Sequence, residues 1–268
     1  MRWLVAIAVV GCGGHDAVAP DADVDAGCSL AQIPLVEQPS RLYVSVQYDA
    51  APALLVVDTG SQLTFLQEPL GSTDPQPNAG SVELGCETLE LIGRPESPFP
   101  PVGDVPVIGT FGDDRLSAGP SKLDVANAVA EFHAPGDHFA EAASWPATQL
   151  AWPAGYAVVD ATLDGTPLQL QLDTGAFDTV WVGQAAQPGD TEVQTTDAYG
   201  DPITLYIGHA TLTIGTWSGT IEIARAPSFP SFTQTWQQLD ANVVGLFGLS
   251  SLGSAIVLDG NQLSLDLP

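Results

Sequence analysis

Two short stretches of this sequence decide its fold: Leu-Leu-Val-Val-Asp-Thr-Gly-Ser at residues 54–61 and Leu-Gln-Leu-Gln-Leu-Asp-Thr-Gly-Ala at residues 168–176. In each, an apolar segment leads directly into Asp-Thr-Gly. The second segment alternates Leu with Gln, which is the period-2 pattern of a strand with one buried face. One Asp-Thr-Gly would mean little, because Asp and Gly are common in turns. The same tripeptide after two strands is informative.

The two stretches belong to an internal repeat. Asp173 lies 115 residues after Asp58, and the same offset still relates Gly208 to Gly93. An Asp-x-x-Pro turn precedes the apolar segment in both copies. A constant offset over this distance indicates tandem homologous units.

The copies match again near their ends, at a different offset. Phe-Gly at Gly112 corresponds to Phe-Gly at Gly248, 136 residues later, so the second copy carries 21 additional residues after its central hairpin. We therefore divide the chain into a lobe at 32–132, a connector at 133–154 and a lobe at 155–268. Frequent Gly and Pro, short β-rich segments and the lack of a long amphipathic helix predict an all-β protein.

Composition excludes several classes of function. The chain has 6 Lys and Arg against 32 Asp and Glu, a formal charge of −26. Such a charge excludes a nucleic-acid partner, because phosphate binding needs clustered Lys and Arg. The apolar fraction of 45% argues against a disordered chain.

Two Asp-Thr-Gly loops between apolar strands, each followed by an apolar-apolar-Gly block, resemble the pepsin and retropepsin clan of aspartic proteases. The resemblance covers roughly residues 40–268. It implies a bilobal acid protease fold: two homologous β-barrel lobes with a cleft between them, fused as in pepsin and retropepsin-like in lobe size. It also implies an aspartic endopeptidase that cleaves extended peptides or unfolded proteins without a cofactor.

By this resemblance, Asp58 and Asp173 are the catalytic residues. Adjacent carboxylates push their pKa values apart and share one proton, so one can activate water while the other polarises the peptide carbonyl. The sequence leaves open which aspartate is the acid, because such a pair titrates as a unit.

Four neighbours support the two loops by the same resemblance. Thr59 and Thr174 are expected to interlock the loops by hydrogen bonds. Gly60 and Gly175 are expected to let the backbone approach closely and aim amide N–H groups at the carboxylates.

The residues after the two glycines differ between the copies. We expect Ser61 to hydrogen-bond Asp58, whereas Ala176 has no hydroxyl to offer Asp173. The two halves of the site are therefore expected to be electrostatically unequal.

The flap is the part of the family pattern that this sequence matches least. No Tyr lies between Asp58 and Gly112. At the position of the retropepsin flap the copies carry Gly85 in the first lobe and Tyr199-Gly200 in the second. Our hypothesis is that the second lobe supplies the larger flap, with Tyr199 near its tip. The alternative is that Tyr199 lies in an exposed turn without a role in binding.

The N-terminal residues predict a targeting signal. Residues 1–11 read as a signal peptide, and Val-Val-Gly-Cys resembles a bacterial lipobox, which implies lipid on Cys12. The alternative is an ordinary signal peptide in which Cys12 is incidental. Residues 12–31 read as an acidic flexible linker. We expect a bacterial envelope protein, anchored by lipid on the periplasmic or outer-membrane face.

The remaining cysteines and the histidines are less informative. Cys28 and Cys86 are candidates for a disulfide in an oxidising compartment, although the sequence does not give their separation. His133 and His138 flank a turn and lack the further ligands of a metal site, so we predict no metal.

The leading interpretation is a monomeric, lipid-anchored aspartic endopeptidase with a peptide or protein substrate. The alternative is a non-catalytic peptide-binding or structural envelope lipoprotein on the same fold. Two intact Asp-Thr-Gly loops favour the enzyme, and the short first lobe without a flap Tyr favours the alternative.

Overall fold

The structure is a computed structural model, and almost all of its regular secondary structure is β-strand. It describes residues 30–38, 41–68, 80–95, 99–196, 201–230 and 243–267. No helix in this part of the chain is long and apolar enough to cross a membrane.

Short strands with alternating burial build the first lobe. Its elements are β1 (Leu30–Gln38), β2 (Arg41–Tyr48), β3 (Ala51–Val57), β4 (Phe65–Glu68), β5 (Gly80–Leu84), β6 (Glu87–Pro95), β7 (Val107–Phe111), α1 (Asp113–Leu116), β8 (Ser121–Asp124) and β9 (Val129–Phe132).

The second lobe repeats this order. Its strands are β10 (Ala147–Ala151), β11 (Val158–Leu163), β12 (Thr166–Asp173), β13 (Thr179–Val182), β14 (Thr191–Thr196), β15 (Pro202–Ile214), β16 (Trp217–Ala226), β17 (Val243–Gly248), β18 (Ala255–Asp259) and β19 (Gln262–Asp266). Short 3₁₀ segments lie at Ala140–Ser144, Pro153–Gly155 and Leu249–Ser251.

The hairpin before each Asp-Thr-Gly turns at the predicted Asp-x-x-Pro position. β2–β3 and β11–β12 are both joined by two residues, Asp49-Ala50 and Asp164-Gly165. All four residues have positive φ, between 47° and 79°. A two-residue turn of this kind matches the right-handed twist of the flanking strands. The hairpin that leads into the Asp-Thr-Gly loop therefore has the same turn geometry in both lobes.

Parallel pairing carries each Asp-Thr-Gly to the Phe-Gly block of its own lobe. β3 pairs with β7 and β12 with β17, ending at Val57 opposite Phe111 and Asp173 opposite Gly248. The Phe-Gly block, which the second offset identified in each copy, therefore lies beside the Asp-Thr-Gly of its own lobe.

The second lobe has one more strand in this region, β16. This strand runs antiparallel to β15 over nine residue pairs and parallel to β13. In the first lobe β6 itself makes the corresponding parallel contact with β4. The insertion adds a strand, and the pairing beside it differs as well: β11 pairs with β15, whereas β2 pairs with β5 in the first lobe.

Three strands from each lobe form one antiparallel sheet, in the order β1-β9-β8-β18-β19-β10. At its centre Lys122 pairs with Val257, with Leu123 on one side and Leu258 on the other. Each of these leucines is followed by Asp, and the two occupy equivalent positions on either side of the pair. A local two-fold axis therefore passes through the Lys122–Val257 pair.

The stretch 133–154 contains more structure than a plain connector. Within it, β10 pairs with β19 and β11, and Leu150 is fully buried. The sequence did not predict this strand, because the residues around it are rich in Pro and Ala. His133 stacks on Phe139, and His138 Nδ1 lies 2.6 Å from Asp259 Oδ2.

One apolar core runs through both lobes and under the shared sheet. It joins Leu55 and Leu123 of the first lobe to Leu172 and Leu258 of the second. Trp181, eight residues after Asp173, is also buried in it. The loops that follow β3 and β12 therefore rest on a single packed body.

Candidate active site

The two aspartates lie at the carboxyl ends of equivalent strands. Asp58 follows β3 and Asp173 is the last residue of β12, and their side chains are only 8% and 1% exposed. The backbone N–H of Asp58 donates to Phe111 O at 3.0 Å. The strands and the neighbouring Phe-Gly blocks thus fix the backbone of both aspartates.

Reciprocal hydrogen bonds between the threonines lock the two loops together. Thr59 N–H donates to Thr174 Oγ1 at 3.1 Å, and Thr174 N–H donates to Thr59 Oγ1 at 3.0 Å. Each hydroxyl then donates across the interface, Thr59 to Leu172 O at 2.8 Å and Thr174 to Val57 O at 2.9 Å. Both threonines are fully buried. This arrangement makes the lobes mutually dependent at the site.

The glycines bring each backbone against the carboxyl of the other lobe. Gly60 N–H donates to Asp58 Oδ1 at 2.8 Å, and Gly175 N–H to Asp173 Oδ1 at 3.0 Å. A Cβ on Gly60 would lie 2.9 Å from the Asp173 carboxyl carbon, and one on Gly175 only 2.6 Å from that of Asp58. The two carboxyls therefore each pack against the Asp-Thr-Gly loop of the other lobe.

The expectation for Ser61 is wrong. Its hydroxyl donates to Leu63 O at 2.9 Å, and only its backbone N–H reaches Asp58, at the carbonyl oxygen. The reason is local: the hydroxyl finds a carbonyl two residues along the same loop. The second lobe supplies the additional donor instead, because Ala176 N–H reaches Asp173 Oδ1 at 3.0 Å. The halves are unequal, but in the opposite sense to the one expected.

The pKa values of the two aspartates are both raised, but to different extents. Burial raises the pKa of Asp58, while the N–H of Gly60 and the Asp173 carboxyl partly offset the rise. Burial raises the pKa of Asp173 well above its ordinary value, and the charge of Asp58 adds to the rise. Asp173 Oδ2 is buried with no donor on it. A hydrogen bond between the two carboxyls needs a proton, and such a pair takes up and releases that proton as a unit.

Each Phe-Gly block closes its loop by close backbone contact. A Cβ on Gly112 would lie 2.5 Å from Leu63 O, and one on Gly248 only 2.2 Å from Asp178 O. The glycine N–H groups donate to Thr64 Oγ1 at 3.0 Å and Thr179 Oγ1 at 3.1 Å. Sequence reasoning noted the glycines and missed the threonines, although both lie 115 residues apart in the repeat.

Sequence reasoning also missed the two acids after Gly112. Asp114 Oδ1 accepts hydrogen bonds from the N–H and the hydroxyl of Thr64, both at 2.7 Å. Asp113 is 2% exposed beside the site. The second copy carries Leu249 and Ser250 directly after Gly248, so the repeat gave no indication of these residues.

The predicted flap is only partly within the described residues. Gly85 lies in the exposed turn between β5 and β6 with φ of +60°. Tyr199 and Gly200 lie outside the described residues. The hypothesis of a second-lobe flap therefore stays a prediction.

The cysteine predictions also reach beyond the described residues. Cys86 is disulfide-bonded. Cys28, its predicted partner, and Cys12, the predicted lipidation site, lie outside the described residues. Within the described ranges, no cluster of three His, Cys, Asp or Glu side chains could hold a metal ion.

An open cavity of about 760 Å³ lies in the second lobe, away from the aspartates. Asp160, Gln169, Trp181 and Val244 are among its lining residues. Asp160 Oδ1 already accepts a hydrogen bond from Gln169 Nε2 at 2.9 Å. The chemistry of two buried carboxyls belongs to the loops at 58–61 and 173–176 and not to this cavity.

Comparison with known proteins shows the fold. No family model and no curated protein matches the chain. Among solved structures it is similar to an aspartic proteinase from Irpex lacteus, with 13% identity and a TM-score of 0.52 over 88% of this chain and 97% of that one. A retropepsin-like aspartic protease from Rickettsia conorii has 17% identity and a TM-score of 0.32 over 44% of this chain and 89% of that one. The first likeness shows the pepsin-like bilobal fold of two β-barrel lobes.

Proposed function

We propose that this protein is an aspartic endopeptidase that hydrolyses peptide bonds with a water held between Asp58 and Asp173. One observation carries the proposal: two buried carboxyls of different acidity meet at interlocked Asp-Thr-Gly loops. A buried pair of this kind can hold one proton and one negative charge together. That is the chemical requirement for hydrolysis without a metal or a covalent intermediate.

The inequality of the carboxyls assigns their roles. Asp58 is the charged base, because its pKa is the less raised and a proton on Asp173 stabilises its charge. Asp173 is the acid, because burial and the charge of Asp58 hold its proton. The two residues titrate as a unit, so the roles describe the state that binds substrate.

The reaction follows from these roles. Asp58 takes a proton from the water, whose oxygen attacks the peptide carbonyl carbon, while Asp173 gives its proton to the carbonyl oxygen. The tetrahedral diol then breaks its C–N bond, and the nitrogen takes a proton from Asp58. A diol proton returns to Asp173. The products are a carboxylic acid and an amine, and the pair ends with the single proton it began with.

The substrate class is an extended peptide or an unfolded protein. A strand in the cleft between the lobes can hydrogen-bond through its backbone whatever its sequence. Tyr199 and Gly200 of the second lobe and Gly85 of the first are proposed to contact this strand as flap residues. The protein is proposed to act as a monomer.

A bacterial envelope location completes the proposal. It rests on the lipobox-like Val-Val-Gly-Cys ending at Cys12 and on the acidic linker of residues 12–31. A lipid on Cys12 would tether the lobes to a membrane, and the linker would hold them clear of its surface.

Digestion of an unfolded protein tests the proposal. We expect the wild type to generate new termini between about pH 3 and 6, where a carboxyl pair can hold one proton. Asp173→Asn, checked to be folded, should generate none. Cleavage that survives in this variant would contradict the mechanism. A folded wild type that binds unfolded peptide and never cleaves it would be a binding protein on the same fold.

A further inference from the structure

A third carboxyl lies beside the pair, at the start of α1. Asp113 directly follows Gly112, and its side chain is 2% exposed. Its backbone N–H donates to Ser61 O at 2.8 Å, on the loop that carries Asp58. Its Oδ2 accepts the backbone N–H of Ala157 at 3.2 Å, in the second lobe. One residue thus joins the first catalytic loop to the opposite lobe.

The second lobe shows which of these contacts needs the carboxyl. Leu249 occupies the position equivalent to Asp113, and its N–H donates to Ala176 O at 2.8 Å. The backbone contact to the catalytic loop is therefore made in both lobes, whatever the side chain. The contact with Ala157 is specific to Asp113, and no step of the reaction proposed above uses it.

The surroundings of Asp113 disfavour the charged form of its carboxyl. Its Oδ1 is buried with no hydrogen-bond partner. The acids that face it are Asp58, Asp173 and its helix neighbour Asp114, while the nearby Arg115 is paired with Glu87 at 3.6 Å. Burial first, then the charges of these acids, raise the pKa of Asp113 well above its ordinary value. Such a group is buried at low cost only while it is neutral.

We propose that Asp113 is a positioning residue, which holds the Asp58 loop against the second lobe and makes this contact sensitive to pH. Building on the proposed function, the inference adds a residue that acts on the aspartate pair through the backbone. At acid pH the neutral carboxyl bridges the lobes. At higher pH its ionisation puts a further negative charge beside the pair and weakens the folded state.

The sign of the pH effect follows from linkage. In the folded protein Asp113 holds its proton to a higher pH than in the unfolded chain. Its contribution to stability is therefore complete below the unfolded pKa and is lost as the pH rises through the folded pKa. An amide at this position cannot ionise, so it should escape this loss.

Urea unfolding at pH 4 and pH 7 tests the inference with Asp113→Asn, which keeps an acceptor for the Ala157 N–H. We expect its midpoint to equal that of the wild type at pH 4 and to exceed it by about 0.5 M at pH 7. Asp137→Asn is the control, because it removes one exposed charge from a loop outside the site. This control should shift the midpoint far less.

A second variant tests the positioning role. Asp113→Leu copies the second lobe and removes the acceptor, so amide exchange at Ala157 should accelerate by at least about tenfold at pH 4. Its kcat should fall at pH 4 with little change in KM, whereas Asp113→Asn should keep kcat within about twofold.

Two results would overturn the inference. One is a midpoint difference between Asp113→Asn and the wild type that is the same at both pH values. The other is unchanged amide exchange at Ala157 in Asp113→Leu. Both measurements need no peptide cleavage, so they decide the inference even where the proposed function fails.

Discussion

Gly60 and Gly175 set the separation of the two buried carboxyls of the candidate site. Each lies where a Cβ would meet the carboxyl of the other lobe, within 2.9 Å for Gly60 and 2.6 Å for Gly175. Real side chains essentially never approach this closely, so any larger residue must push a lobe or a carboxyl aside. At this scale the motif Asp-Thr-Gly is a packing requirement as well as a hydrogen-bond pattern.

Gly175→Ala tests this packing requirement. The added methyl group should displace Asp58, and we expect kcat/KM to fall by about a hundredfold, because small misplacements of reacting groups cost this much. The kinetics of peptide cleavage measure the effect. Gly103→Ala is the control for activity: its Cβ would meet nothing within 4 Å, and the strain of a side chain at its φ of +59° falls on a turn outside the site, so it should lower stability and leave kcat/KM unchanged. Equal activity in the two variants would contradict the packing argument.

The paired strands β8 and β18 are the element that unites the lobes. At their centre Lys122 contacts Glu131 and Glu141 at 3.0 Å and Asp124 at 3.5 Å. Burial alone would lower the pKa of Lys122, but the hydrogen bonds to Glu141 and Glu131 raise it overall. Burial tends to raise the pKa of Asp124, but hydrogen bonds from Asn127 and the Lys122 ammonium lower it overall. The backbone N–H of Glu141, and then the same ammonium, lower the pKa of Glu141.

Lys122→Met should destabilise the shared sheet in a pH-dependent way. We expect a loss of about 1–2 kcal/mol at pH 7, because partly buried acids lose their counter-ion. Acids with lowered pKa values stabilise the fold above their unfolded pKa and lose this contribution as the pH falls. Urea unfolding should therefore show the loss shrinking towards pH 3.

The control for this prediction is Arg115→Met. Arg115 pairs with Glu87 at 3.6 Å, and both side chains are partly exposed. Such a pair contributes about 0.5 kcal/mol or less. An equal loss in both variants, or a Lys122→Met loss that is constant with pH, would contradict the role of Lys122.

What the sequence predicts at this level depends on whether a feature is repeated. The turn at Asp164-Gly165, the strand before Asp173 and the block at Gly248 recur at fixed offsets, and the structure has each of them. β10 lies in a stretch whose composition is that of a loop. Asp113 and Ala157 are 44 residues apart, and the other copy carries no such pair. Periodicity cannot predict a contact that occurs once.

The whole molecule combines a large negative charge with buried acids. Its formal charge is −26. Burial raises the pKa values of Asp58, Asp113 and Asp173, and the charge of Asp58 adds to the rise at the other two. Each of these groups holds its proton to a higher pH in the folded protein than in the unfolded chain. The stability they confer is present below about pH 4 and lost as the pH rises.

Thermal unfolding from pH 3 to pH 8 measures this balance. We expect the midpoint to be highest at acid pH and to fall towards pH 8, as the buried acids ionise and self-repulsion grows. Added salt should raise the midpoint at pH 7 by screening that repulsion, and have less effect at pH 4. A midpoint that is highest near pH 8 would show that the buried acids do not dominate.

The most direct test of the central claim, that Asp58 and Asp173 act as one unit, is kcat/KM for Asp58→Asn, Asp173→Asn and the double variant. Groups that act together lose nearly everything at the first substitution. We predict that each single variant, checked to be folded, is as inactive as the double variant. A double variant far less active than either single variant would show two independent contributions, and activity that survives in all three would place the chemistry elsewhere.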